Sequence, residues 1–246
     1  MTMASQRPLH ILLLLCASAC AMLTSAARAE IRVAFGYSGS YNPAVLELNG
    51  TAQLSAFDQG WFDQYGNREL SEGNYIAGVC GLPFDYCNNF NDVVYRDFFA
   101  FNLAGVAPQV TSASLLLWNP EKFDVSGNGF VSSHATETFQ LHEVHASTAE
   151  LAAINSHRVD VFDDLGTGTF YGERVMSAAD NGTWVRVPLN AAALAAINGA
   201  AGSNIVFGGS LAGVGPVPEP QTYAVLLGGL GWLAWMVRRR QMTTAA

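Results

Sequence analysis

Residues 142–145 read His-Glu-Val-His, and clusters of imidazole and carboxylate groups of this kind are common metal ligands. On a helix, residues three apart share a face, whereas on a strand His142 and His145 would point to opposite sides. Phe139 and Leu141 alternate with polar residues just before this segment, which indicates a strand. The spacing therefore predicts no metal site at these histidines.

The stretch Asp124–Gly129 imitates the front half of a calcium-binding loop. Its twelfth position is Ala135, where an EF-hand requires a bidentate glutamate, so the motif is incomplete. A looser calcium site at Asp160, Asp163 and Asp164 stays open, but aspartates that hydrogen-bond in turns explain these residues equally well. The sequence therefore predicts no cofactor, with calcium as the alternative.

Catalytic motifs are missing from the sequence. It contains no G-x-S-x-G, no glycine-rich phosphate loop and no H-E-x-x-H. Pairs of carboxylates for a glycosidase can always be selected from an acidic chain, so such a pair carries no information. We therefore expect no catalytic residue and no enzyme, and a hydrolase is only a third alternative.

Two tryptophans are the best candidates for contacting a ligand. Trp118 and Trp184 fall opposite the strand faces that alternation assigns to the core. Exposed flat aromatic rings suit stacking on sugar rings. The alternative is that both rings cover a second buried layer.

Cys80 and Cys87 are the cysteines that remain if the N-terminal leader is removed. The six residues between them can turn a loop, and two thiols this close in an exported chain predict a disulfide. A pair of free thiols is the alternative.

Period-2 alternation dominates residues 30–213 and predicts an all-β domain, a two-sheet antiparallel β-sandwich of about eight strands. Two short helices interrupt this pattern, one after a capping box at Ser147 and one over residues 191–198 after Asn190. The alternating apolar residues are Ile31, Val33, Phe35; Ala52, Leu54, Ala56; Phe99, Phe101, Leu103; Ala113, Leu115, Leu117; Phe139, Leu141; Val159, Val161; Val185, Val187, Leu189; Ile205 and Phe207.

The charge of the chain argues against a nucleic-acid partner. The whole chain carries 12 basic and 20 acidic residues, and half of it is hydrophobic. Residues 30–217 hold 19 acidic but only seven basic side chains, a net charge of −12. This is the wrong sign for binding phosphate, and it would repel acidic polymers unless divalent cations bridged them.

The N-terminus has the anatomy of a secretory signal peptide. Basic residues precede the apolar run 11–15, and small residues end in Ala27-Arg28-Ala29, an A-x-A cleavage pattern. We expect cleavage after Ala29, so residues 1–29 are excluded from the fold. An uncleaved anchor, or a lipoprotein modified at Cys20, are the alternatives.

The C-terminus, residues 214–246, has three parts. Pro218, Glu219 and Pro220 precede an apolar run over about 221–237, and Arg238, Arg239 and Arg240 follow at once. The run predicts a short transmembrane helix. The three arginines place the C-terminal end of this helix on the cytoplasmic side of the membrane. The preceding domain would then lie outside the membrane, in agreement with a signal peptide.

This tripartite end resembles the PEP-CTERM sorting signal of Gram-negative bacteria. The resemblance implies recognition by an exosortase, a membrane protease that cuts near the proline triplet, and export to the cell surface or beyond. Proteins of this kind accompany exopolysaccharide and biofilm systems. A simple membrane anchor is the alternative.

Much of residues 52–211 resembles β-sandwich ectodomains of other PEP-CTERM proteins and, more loosely, DNRLRE-type jelly-roll domains. The stretches that carry the likeness include Gln59–Asp63, Arg96–Phe101 and Ser177–Thr183. They transfer no defined activity. We expect an exported structural protein of the surface or matrix, with a carbohydrate-binding module for extracellular polysaccharide as the alternative.

Overall fold

A computed structural model describes residues 31–36, 42–68, 73–80, 93–106, 109–121, 129–153, 157–215 and 226–231. These residues form twelve strands and several short helices. The strands are β1 (Arg32–Gly36), β2 (Val45–Leu48), β3 (Ala52–Ser55), β4 (Asp58–Asp63), β5 (Ala77–Cys80), β6 (Val93–Asn102), β7 (Ala113–Asn119), β8 (Gly129–Ser132), β9 (Thr136–Glu143), β10 (Phe170–Ser177), β11 (Thr183–Pro188) and β12 (Asn204–Leu211).

The strands build two antiparallel sheets. One has eight strands: seven follow the order β10-β9-β12-β6-β5-β1-β8, and β4 also pairs with β6, over Tyr95–Ala100. The second has four strands in the order β11-β7-β2-β3. The main core lies between the sheets, so the predicted β-sandwich is confirmed.

Residues on alternate positions fill this core, as the period-2 pattern predicts. The four-stranded sheet contributes Leu46, Leu48, Leu115, Leu117, Val185 and Val187, and the larger sheet contributes Phe99, Phe101, Phe139, Leu141 and Phe207. Phe35 packs edge-on against Phe139, with ring centroids 5.0 Å apart. Each buried phenylalanine is expected to contribute about 1.5–3 kcal/mol.

A second apolar layer covers the outer face of the eight-stranded sheet. Two short helices, α1 (Thr148–Leu151) and α2 (Val159–Asp164), place Leu151, Val161 and Phe162 against Phe98 of β6. Because both faces of β6 are covered, every residue from Val93 to Phe101 is buried. Strict alternation therefore fails in this strand.

Both predicted helices are confirmed. The capping box before α1 is complete, because the Ser147 hydroxyl accepts from the Glu150 N–H while the Glu150 carboxylate accepts from the Ser147 N–H. Helix α3 (Ala191–Gly199) begins after Asn190, whose side chain accepts from the Ala193 N–H. Ala193 and Ile197 of α3 close one end of the main core.

The strand predicted at Val159 and Val161 is wrong, because these residues begin α2. Asp160 between them imitates a period of two, but Val161 and the adjacent Phe162 are both buried, as one face of a helix allows. The alternation pattern did not predict five strands, because they are short or carry polar residues on both faces of the strand. These are β2, β4, β5, β8 and β10.

Residues 226–231 are helical and exposed within the predicted apolar run 221–237. Among the residues that the structure describes, no helix is both long and apolar enough to cross a membrane. The leader with Ala27 and Ala29, the triplet Pro218–Pro220 and the cluster Arg238–Arg240 lie outside the described residues.

Candidate functional site

Trp118 and Trp184 lie side by side on the outer face of the four-stranded sheet. They are directly opposite each other in the register of β7 and β11, and Leu117 before Trp118 and Val185 after Trp184 point into the core. The ring centroids are 5.7 Å apart, with an angle of 63° between the ring planes. Trp184 is 44% exposed and Trp118 is half-buried, so this aromatic pair meets solvent.

A row of aliphatic and polar side chains continues the same face. In the register, Arg186 lies opposite Leu116, and Leu116 lies opposite Val45 on β2. Glu47, two residues after Val45, accepts hydrogen bonds from both terminal nitrogens of Arg186, one of them at 3.1 Å. We call the surface formed by the tryptophan pair and this row the tryptophan face.

The ion pair between Arg186 and Glu47 on the tryptophan face stabilises the charged forms of both side chains. The hydrogen bond from Arg186 lowers the pKa of Glu47, and the same bond raises the pKa of Arg186. Both groups are therefore charged at neutral pH and compensate each other. The exposed half of the Arg186 side chain leaves N–H groups available to a ligand.

Tyr75 holds the backbone of Trp118 from inside the sandwich. Strand β2 begins at Val45, opposite Leu116, so Trp118 extends beyond the end of its neighbour. The Tyr75 hydroxyl takes the place of the missing strand: it accepts from the Trp118 N–H at 2.7 Å and donates to the Trp118 carbonyl at 3.1 Å. Its fully buried ring packs edge-on against Phe99, with centroids 5.1 Å apart.

Asparagine side chains support the other end of the aromatic pair. Asn119 is fully buried and donates from its side chain to the Asn181 side chain at 2.8 Å. Its carbonyl accepts from the Gly182 N–H, also at 2.8 Å. The turn that leads into Trp184 is thereby tied to the residue that follows Trp118, so the pair is preorganised before any ligand arrives.

Tyr75→Phe should destabilise the protein by about 1–3 kcal/mol, because two backbone groups of Trp118 lose their partner inside the protein. Urea unfolding measures this change in the free energy of unfolding. Tyr65→Phe is the matched control, since the ring of Tyr65 is 43% exposed and the same oxygen is removed. Equal stability of the two variants would contradict the role of the Tyr75 hydroxyl.

The histidines of the segment 142–145 do not come together. His142 lies in β9 with one ring nitrogen 3.3 Å from the Gly168 carbonyl oxygen, and burial lowers its pKa. His145 lies beyond the end of β9, exposed, with Nδ1 3.2 Å from the Asp164 carboxylate. Among the described residues, no three His, Cys, Asp or Glu side chains converge in a way that could hold a metal ion.

The acidic residues considered for calcium are each bound to a protein partner. Asp160 pairs with Arg158 at 2.7 Å. Asp164 accepts from the backbone N–H groups of His145 and Ala146, at 2.7 and 2.8 Å. Asp163 lies 4.0 Å from Arg96. Asp124 and Asn128 of the calcium-like loop lie outside the described residues, as does Cys87, although the backbone of Cys80 ends β5.

Buried arginines, which the sequence did not reveal, fix the helical layer. Arg96 donates to the Phe162 carbonyl at 2.9 Å and lies 4.4 Å from the centroid of that ring. Arg68 pairs with Asp58 at 2.7 Å, donates to the Leu151 carbonyl and lies over Phe98. Both arginines bind carbonyl groups near the C-terminal ends of α1 and α2, so their role is structural.

No protein-family model matches the chain, and no curated protein matches it significantly. A function for the tryptophan face therefore rests on its own geometry and chemistry.

Proposed function

We propose that this protein is an exported, non-enzymatic component of the bacterial surface or extracellular matrix that binds polysaccharide through Trp118 and Trp184. The exposed aromatic pair is the observation that carries the proposal. An indole ring that is 44% exposed keeps apolar surface in contact with water, and a sugar ring stacked on it removes that surface.

The surroundings of the pair support a sugar ligand over a protein or a lipid. Hydroxyl groups need fixed hydrogen-bonding partners beside the stacked ring, and Arg186 and Glu47 lie on the same face. The tryptophan pair itself is small, and its neighbours are charged, whereas a lipid surface would need a wide apolar patch. The preorganised backbone of Trp118 also lowers the cost of ordering the site on binding.

Affinity electrophoresis with the detergent-solubilised full chain tests the binding function. Trp184→Ala should weaken retardation by polysaccharide roughly two- to tenfold, because one stacked ring is worth about 0.5–1.5 kcal/mol, and Trp118→Ala should weaken it because Trp184 loses the ring that packs against it. Phe57→Ala is the matched control, since Phe57 is an aromatic residue 52% exposed between β3 and β4. Binding that survives both tryptophan substitutions would refute the proposed site.

The export route is the second part of the proposal and is supported by the sequence of both termini. Residues 1–29 act as a signal peptide, and residues 214–246 act as a PEP-CTERM sorting signal that an exosortase processes at the inner membrane of a Gram-negative bacterium. The sandwich, which we propose to be of jelly-roll type, is then delivered to the cell surface or its biofilm matrix. A disulfide between Cys80 and Cys87 would suit this oxidising location.

Mass spectrometry of the protein released from the cell surface tests this route. We expect a C-terminus near Pro218–Pro220. Replacing Arg238–Arg240 by alanines should weaken the membrane orientation and reduce processing, because the cytoplasmic positive charge disappears. Recovery of the exported protein with Ala246 intact would contradict sorting by cleavage.

A further inference from the structure

The angle between the two tryptophan rings limits the shape of the ligand. Their planes are inclined by 63°, so one planar object cannot stack on both rings. A flat crystalline polysaccharide presents sugar rings in one plane and needs coplanar aromatic side chains. Trp184, the more exposed ring, therefore offers the stacking surface, and the half-buried Trp118 packs against it.

A hydrogen-bonding group lies next to the stacking surface. Arg186 is two residues after Trp184 on the same face of β11, about 7 Å along the strand at the usual rise. Only its terminal nitrogens bind Glu47, which leaves guanidinium N–H groups for the hydroxyl oxygens of a sugar. The side chain is half-exposed, so it can reach a ring stacked on Trp184 or the neighbouring unit.

Charge on the tryptophan face disfavours acidic sugars. The positive charge of Arg186 is compensated by Glu47, and Glu121 packs against Gly182, two residues before Trp184. The surrounding domain, residues 30–217, has a net charge of −12. Among the described residues of this face, a uronate or sulfated polymer would therefore find no uncompensated cation, and the net charge of the domain would repel it.

From these observations we infer that the tryptophan face binds a single chain of a neutral, soluble polysaccharide, with one sugar ring stacked on Trp184 and hydroxyls bound by Arg186. This inference rests on the proposed polysaccharide binding. It adds that the ligand is uncharged and is recognised as a free chain instead of a crystalline surface.

Three classes of probe separate the possibilities for the full chain. Soluble neutral polymers (hydroxyethyl cellulose, galactomannan and dextran) and acidic ones (alginate and polygalacturonate) are compared by affinity electrophoresis, and crystalline cellulose and chitin by sedimentation. We expect retardation by at least one neutral soluble polymer, unaffected by salt, and no binding to the other two classes. Arg186→Ala should weaken neutral binding about three- to tenfold, and Arg186→Lys should restore part of it.

Glu47→Gln provides a gain-of-function test. It leaves the charge of Arg186 uncompensated, so binding to alginate or polygalacturonate should appear at low ionic strength and disappear at high salt. The melting temperature of each variant should stay near that of the unmodified protein, because the substituted side chains lie on the surface.

Failure of the inference and failure of the proposed function give different results. If the unmodified protein binds acidic or crystalline polysaccharide through Trp184, the inference is overturned while polysaccharide binding stands. If no probe of any class binds, the proposed binding function itself fails. If Glu47→Gln gains no affinity for acidic polymers, charge compensation is not what selects a neutral ligand.

Discussion

The free energy of unfolding should fall as the pH rises above the ordinary aspartate pKa of about 3.9, by up to about 1.4 kcal/mol per pH unit until the raised folded-state pKa of Asp97 is reached, and Asp97→Asn should remove this contribution. Asp97 is fully buried in β6, and neither of its carboxylate oxygens has a hydrogen-bond partner among the described residues. Burial raises the pKa of Asp97 well above its usual value of about 3.9.

The surroundings of Asp97 show why its ionisation is costly. A Cβ atom on Gly209 of the neighbouring strand would lie 2.0 Å from one Asp97 oxygen and 2.4 Å from the ring of Phe139. The side chain of Asp97 therefore fills the space that Gly209 leaves, next to the ring of Phe139. Burial is also the main cause of the raised pKa of the Tyr75 hydroxyl, and a charge on Asp97 would raise that pKa further.

The direction of the pH effect follows from proton binding. The folded protein keeps the proton on Asp97 at a pH where the unfolded chain has lost it, so each step upward in pH favours unfolding until the folded-state pKa is reached. Two groups act in the opposite direction at lower pH. Hydrogen bonds from Arg32 and Ser132 outweigh burial and lower the pKa of Glu137, and burial lowers that of His142.

Those opposing groups determine how the measurement is designed. The contribution of Glu137 is lost as the pH falls below about 4.5, and His142 opposes Asp97 only at and below about pH 6.5. The measurement therefore compares urea unfolding of the unmodified protein and of Asp97→Asn at each pH from about 4 to 9, because Glu137 and His142 contribute to both proteins and the difference isolates Asp97. Glu173→Gln, which changes an exposed glutamate on β10, is the control and should leave the slope unchanged. Parallel pH profiles for Asp97→Asn and the unmodified protein would rule out a protonated Asp97.

Local sequence patterns predicted those parts of the fold that local interactions determine. The capping box at Ser147 and the cap at Asn190 involve residues three apart, and both appear as expected. The outward orientation of Trp184 follows from its buried neighbours Val185 and Val187. Strand β6 could not be interpreted in this way, because α1 and α2 cover its second face and remove the alternation.

Contacts between distant residues explain what the sequence could not reveal about the site. Arg186 and Glu47 are 139 residues apart, and Tyr75 and Trp118 are 43 apart. Neither contact has a local spacing that signals it. Only the pairing of β11 with β7 and of β7 with β2 brings Arg186 and Glu47 to one face.

Gly78→Ala should destabilise the protein by more than about 3 kcal/mol, a large share of the usual total stability of a domain. Gly78 has a φ of +127°, in a region that side chains rarely adopt, and an added Cβ would lie 1.9 Å from the Arg32 carbonyl oxygen. That carbonyl belongs to β1, which pairs with β5 on this side, while β6 pairs with β5 on the other. The central strand therefore cannot move away from the clash without losing pairing.

Gly105→Ala separates backbone strain from the clash, because Gly105 has a φ of +82° but no atom within 4 Å of an added Cβ. This control should cost only about 1–2 kcal/mol, the usual penalty for a left-handed alanine. Urea unfolding of the two variants compares the costs, and circular dichroism shows whether Gly78→Ala retains the sheet signal if it is too unstable for a full curve. Equal destabilisation by both substitutions would mean that close packing of β5 against β1 does not limit stability. The expected difference, of at least about 1 kcal/mol, would show that close packing of β5 against β1 in the larger sheet limits stability. On the tryptophan face, by contrast, Trp184→Ala should change binding with little change in stability.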